Sequence, residues 1–409
     1  MPSDGPKVTC LGQVVILVFI LGCIGAAGFL FYTHYAGNSA RGPNSVTGTT
    51  PSSPASSSSR FNPGMQVEIG VAYGTEKKRW LENAVQQFAQ TDQGKNIKVD
   101  LIPKGSLEGA QAILAGDQTI NVWSPASSLY KDIFVQEWGL KYDNKNPIRR
   151  EESLALTPMV FVFWSERYDA FIGKYKEVSF DTIGQALQEK GGWNAIAGKP
   201  EWGLFKFGHT HPNKSNSGLS TLTLMAYEYQ KKDRDLTLKD ILDPGFQSWM
   251  DKIESAVSGL SDSTGNMMKD MVLRGPSSYD ALLVYENVAI DYLKNAEGRW
   301  GELRIAYPKR NIWNDNPYYI VDAPWSTPEQ IKAAGAFADF LLSEPTQRQS
   351  LDHGLRPGNP QVPVRFPESP LVQYQKYGLQ IDIGVTCEPP KAEVITNLLA
   401  GWQRSQGSR

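Results

Sequence analysis

Three successive strand-like runs each end in a small polar turn that opens a helix, and this pattern confines the chain to an α/β architecture. Val67 to Tyr73 is an apolar, β-prone run, and Gly74-Thr75 follows it. Trp80, Leu81, Ala84, Val85 and Phe88 then recur at helical spacing and form one apolar face. Ile97 to Ile102 alternates as a strand, and Gly105-Ser106 opens a helix carrying Leu107, Ala110, Ile113 and Leu114. Asn121-Val122-Trp123 runs into Ser124-Pro125-Ala126-Ser127-Ser128. A β-α-β-α-β unit of this kind builds an open parallel sheet, whose ligands sit outside the strand carboxyl ends.

Further along, Ala155 to Trp164 reads as a β-rich run interrupted by Pro158, which predicts a crossing or an edge. Gly203 to Phe207 reads as a strand leading to His209-Thr210-His211-Pro212-Asn213-Lys214-Ser215-Asn216-Ser217-Gly218. A helix follows, with Leu219, Leu222, Met225, Ala226 and Tyr229 on one face. Ala281 to Val284 and Leu303 to Tyr307 read as late strands, and Ala333 to Leu342 as a helix ended by Glu344-Pro345. No repeat of solenoid period is present.

The beginning of the chain has a different character. Leu11 to Tyr32 is a charge-free run of 22 residues, long enough for a helix to cross a bilayer. Tyr32 and Tyr35 stand where an interfacial aromatic belt falls. Of the 28 residues from Gly37 to Gly64, 22 are Ser, Thr, Gly, Pro or Asn, a composition with little to bury. The expected order is a short tail (1–10), an uncleaved signal anchor (11–35) and a tether (36–64). The body would then lie on the periplasmic or extracellular side of the plasma membrane.

Three stretches carry a family resemblance. They are Val122-Trp123-Ser124-Pro125-Ala126-Ser127-Ser128, then His211 to Gly218, then Ala336-Phe337-Ala338-Asp339-Phe340-Leu341-Leu342-Ser343-Glu344-Pro345 followed by Gly354-Leu355-Arg356-Pro357. Over about Val67 to Pro360 the chain resembles the type 2 periplasmic or extracellular solute-binding proteins. Within these it looks like the group related to molybdate- and sulfate-binding proteins, the substrate-binding domains of ABC transporters, which also occur joined to von Willebrand A domains. His211 stands where the family usually has an acid. The resemblance implies an α/β fold of two lobes joined by crossing strands, with a ligand in the cleft between them. Lobe I would comprise 65–157 and 311–377, lobe II 158–310, and a C-terminal extension 378–409. It implies a small-molecule ligand and a separate permease. The alternative is an interaction scaffold that uses the same fold to bind an extracytoplasmic protein.

Helix N-termini offer unpaired backbone N–H groups and partial positive charge, so strand-to-helix turns are the candidate ligand contacts. These are Gly74, Thr75, Ser106, Ser127, Ser128, Ser215, Asn216, Ser217 and Ser278, with Trp123 as a stacking surface. Glu286 is added because it resembles a family cleft position. His209 and His211, two apart, are the one place where a metal site could begin, but no metal ligand set is assigned. No catalytic residue and no cofactor is expected: Ser128-Leu129-Tyr130-Lys131 lacks the companion motifs of the serine acylases, and no phosphate loop or dinucleotide fingerprint occurs. A net charge of −2 argues against nucleic-acid binding. Of three cysteines only Cys387 lies in the body, which excludes an internal disulfide there.

Overall fold

The computed structural model describes residues 66–142, 145–296 and 300–407. The expected anchor (11–35) and tether (36–64) lie outside the described residues. Among the described residues no helix is long and apolar enough to cross a membrane.

The body begins with β1 (Val67–Tyr73), α1 (Lys78–Phe88), β2 (Ile97–Pro103), α2 (Ser106–Ala115), β3 (Val122–Ser124), α3 (Lys131–Lys141) and β4 (Ile148–Ser153). After β5 (Ala155–Leu156) come β6 (Met159–Trp164), α4 (Ser165–Tyr175), α5 (Phe180–Gln188), α6 (Gly192–Ala197) and β7 (Phe207–Thr210). Next are α7 (Asn216–Gln230), α8 (Pro244–Glu254), β8 (Leu260–Ser261), α9 (Thr264–Arg274), β9 (Ala281–Tyr285), α10 (Glu286–Ala296) and β10 (Leu303–Ala306). The chain returns through β11 (Arg310–Asn311), β12 (Pro317–Val321), α11 (Pro328–Leu342), α12 (Glu344–Ser350) and β13 (Arg356–Pro357), and ends with β14 (Val385–Thr386) and α13 (Ala392–Gly407).

Two five-stranded sheets result, ordered β2-β1-β3-β12-β4 and β10-β6-β9-β7-β8. In the first, β1 runs parallel to β2 and β3, while β12 is antiparallel to its neighbours. The late strand β12 thus closes the lobe that the early strands begin. The chain crosses between the sheets at 154–158 and again at 307–316. The crossings are tied together where the backbones of Thr157 and Asn314 exchange two hydrogen bonds of 3.0 Å.

Two strand expectations need adjustment. The run from Ala155 to Trp164 is divided into β5 and β6 at the Thr157-Pro158 crossing, because proline has no N–H to give a ladder. The strand expected at Gly203 to Phe207 occupies Phe207–Thr210 instead. Its first residues form a loop from which Phe205 packs on Trp193, ring centroids 5.6 Å apart, while Trp202 of the preceding helical turn (Pro200–Trp202) packs on the same ring at 5.2 Å. The apolar signal there belongs to core packing and not to strand pairing.

Beyond β13 the chain lies against the second sheet. The Lys376 carbonyl accepts from Arg304 of β10, β14 pairs with β11, and α13 packs on α7 and α8.

Candidate functional site

Between the two sheets lies a cavity of about 850 Å³. Four helical N-termini open onto it, two from each lobe. Gly74 and Thr75 precede α1, and Gly105 and Ser106 begin α2. Ser215 and Asn216 begin α7, and Ser263 and Thr264 begin α9. The first-turn N–H groups of a helix lack partners within the helix, so each end contributes donors and a positive dipole end. The lobes approach each other closely here. A methyl group on Gly105 would lie 3.2 Å from the Lys214 carbonyl oxygen. Across the opposite lip, Arg79 of α1 is 3.5 Å from Asp291 of α10.

Charge on the cleft is balanced in pairs. Lys77 is fully buried at its floor, where Nζ donates to Glu76 Oε1 (2.6 Å), the Pro125 carbonyl (3.1 Å) and Asn316 Oδ1 (3.2 Å). Burial pushes this ammonium below its ordinary pKa, against the attraction of Glu76. Lys104 pairs with Glu108 at 3.3 Å, and Lys214 with Asp262 at 2.9 Å. His353, at the rim, is pushed down by burial despite the nearby Asp291. An anion in this cleft would therefore meet chiefly backbone donors and hydroxyls.

Of the residues expected from sequence, Gly74, Thr75, Ser106, Ser215 and Asn216 line the cavity. The Ser106 hydroxyl is already engaged, accepting from the Ala126 N–H at 3.0 Å.

Six others are placed elsewhere. Trp123 is a core residue, 1% exposed, packed on Phe134 and Tyr319. Ser127 caps its own turn, and the N–H of Ser128 donates to Asp315 Oδ1 at 2.8 Å. The anion drawn to that helical end is thus one of the protein's own carboxylates. Ser217 stands behind the wall, its hydroxyl 2.6 Å from both Thr210 Oγ1 and Thr264 Oγ1. Ser278 follows the far end of α9, the end away from the cleft. Glu286 is buried in a two-pronged ion pair with Arg356, both contacts 2.8 Å, and accepts from Tyr307.

His209 is buried, with Nε2 2.9 Å from Glu254 Oε1, while His211 packs edge-on against Trp402. The two rings meet one network, since the Trp402 Nε1–H donates to the other Glu254 oxygen at 2.6 Å.

Sequence reasoning missed Ser263 and Thr264, because β8 before them is only two residues long and gives no periodic signal. It missed Glu76 and Lys77 because a lysine in a first helical turn reads as solvent-facing.

A family model of bacterial extracellular solute-binding proteins matches residues 69–356. Among solved structures, the sulfate-binding protein SubI of Mycobacterium tuberculosis is 14% identical, with a TM-score of 0.53 over 84% of this chain and 99% of that one. The ferric binding protein of Campylobacter jejuni is 11% identical, with a TM-score of 0.57 over 82% and 99%. A periplasmic thiamin binding protein is 13% identical, with a TM-score of 0.55 over 84% and 97%. At these identities the likeness is one of fold. No curated protein matches the chain. Two α/β lobes, a doubly crossed hinge and a family match over most of the body agree, and the chain belongs to the bacterial extracellular solute-binding proteins, of the type 2 fold.

Proposed function

We propose that this chain captures a small anionic solute in the interlobe cleft and presents it to a separate ABC permease, while segment 11–35 holds it to the membrane and 36–64 serves as the tether. The lobes would divide close to the two crossings and close on the solute by a hinge motion. The observation that carries this reading is the convergence of four helical N-termini on one cavity, with the cationic side chains there already paired. Sulfate, iron and thiamin binding by proteins of this fold is consistent with capture in such a cleft, but does not choose the ligand.

Thermal unfolding of the full chain against inorganic and organic anions, sugars and cations tests it. A ligand at 100 times its Kd stabilises by about 2.7 kcal/mol, and anions should give the largest shift. A shift from sugars or cations alone would overturn the anionic reading. Carbonate extraction of cell membranes tests the anchor: the wild-type chain should stay with the membrane, and a variant lacking 11–35 should not.

A further inference from the structure

The network around His209 and His211 joins the end of the chain to one wall of the cleft. His209, in β7, is fully buried, and its two ring nitrogens both face acceptors. Nδ1 lies 2.8 Å from the Thr210 carbonyl oxygen, and Nε2 lies 2.9 Å from Glu254 Oε1 of α8. A carbonyl oxygen can only accept, so Nδ1 carries a hydrogen. Nε2 and Glu254 then need a second proton between them. Without it a ring lone pair would face a carboxylate oxygen, and a buried polar contact left unmade is costly. Moving the hydrogen from Nδ1 to Nε2 only transfers the clash to the Thr210 carbonyl. The other Glu254 oxygen accepts the Trp402 Nε1–H of α13, and His211 packs edge-on against the same indole, ring centroids 4.8 Å apart. Trp402 is buried, as are Val394, Ile395 and Leu398 on its helix. The His211 carbonyl in turn accepts the N–H groups of Lys214 and Ser215, which line the cavity.

We infer that one proton shared by His209 and Glu254 locks the C-terminal helix α13 onto the body, and that the helix loosens when this proton is lost at alkaline pH. Burial alone would make His209 shed its proton more easily. The Glu254 carboxylate and the Thr210 carbonyl outweigh it and lift the ring above its ordinary 6.5. Around the ring, α8 brings Glu254, α13 brings Trp402, β8 brings Leu260 and Ser261, and its own strand leads on to His211. His211 is pushed down by burial and by Lys214, against Asp262, so it stays neutral where the lock would open. Of the other charges on α8 and α13, Lys252, Glu393 and Arg404 are exposed and Asp251 is half-buried. A pKa raised in the folded state gives its full stabilisation below 6.5 and loses it as pH rises through the folded value.

Amide hydrogen exchange of the full chain from about pH 6 to pH 10 reads the lock directly. Measured as protection factors against the amides of β1, the α13 amides should lose about tenfold or more as pH rises through the folded value. Glu254→Gln replaces the oxygen facing Nε2 by an amide N–H. That group donates to a neutral ring, while the amide oxygen keeps the Trp402 contact. In this variant α13 should stay docked and the alkaline loss should vanish. An equal loss in the two proteins, or no loss in the wild type, overturns the inference. The wild-type imidazole gives a second reading by nitrogen-15 NMR, which stands by itself should the variant fail to fold. A His209 titration centred above 6.5 supports the lock, and one at or below 6.5 overturns it. None of these readings depends on which solute the cleft takes.

Discussion

Lys77 and Glu228 show how burial changes what a charged residue does. Removing the Lys77 ammonium leaves Glu76 nearly buried without its ion-pair partner, and breaking a buried pair in this way costs roughly 3 kcal/mol. Lys77→Met should therefore lower the unfolding free energy obtained from urea titration by that amount, measured without ligand. Glu228 accepts from the Asp181 N–H through Oε1, while Oε2 is buried and unpartnered among the described residues. Burial pushes its carboxyl up from 4.5 to about 7. The folded chain then binds more protons than the unfolded chain between those values, so this group's contribution to stability is full below pH 4.5 and falls as pH rises to 7. In Glu228→Gln that contribution disappears, and the wild-type-minus-variant stability should drop by up to about 3 kcal/mol across the window. Equal pH slopes for the two proteins would rule this out.

At the level of elements, the placement of α7 depends on one glycine. A Cβ on Gly218 would lie 2.3 Å from the Thr210 carbonyl oxygen and 2.8 Å from Pro212. Gly218→Ala should thus push the start of α7 away from β7, with an overpacking cost of about 1–3 kcal/mol. Because Asn216 and Ser215 sit at that end, solute affinity should fall more than stability alone explains, which calorimetry on the folded variant would reveal. Several elements were readable from periodicity: the runs behind β1, β2, α1, α2 and α7 stand where their patterns put them. The two-residue β8 was not, since a strand that short has no period to read. The loop at 203–206 misled for the opposite reason, as Phe205 packing on Trp193 imitates a strand residue.

For the molecule as a whole, closure is held at the lip by the Arg79–Asp291 pair. Arg79 is 68% exposed, so the pair is worth well under 1 kcal/mol after screening. Arg79→Ala should shift the ligand-free population toward open lobes by less than about fivefold, read by fluorescence energy transfer between labels on the two lobes; full opening would mean the latch has been underestimated. The sequence by itself determined the strand-turn-helix order and the α/β class, which follow from local periodicity and turn chemistry, while two lobes with a cleft between them were only what the family resemblance implied. Only the tertiary structure decided which ends face the cavity. Ser127-Ser128 and Ser215-Asn216 look alike as sequence, yet Asp315, 187 residues away from Ser128, fills the first, while the hinge residue Asn314 orients Asn216 at the second. Such choices rest on contacts between residues far apart in the chain, and no local pattern encodes them.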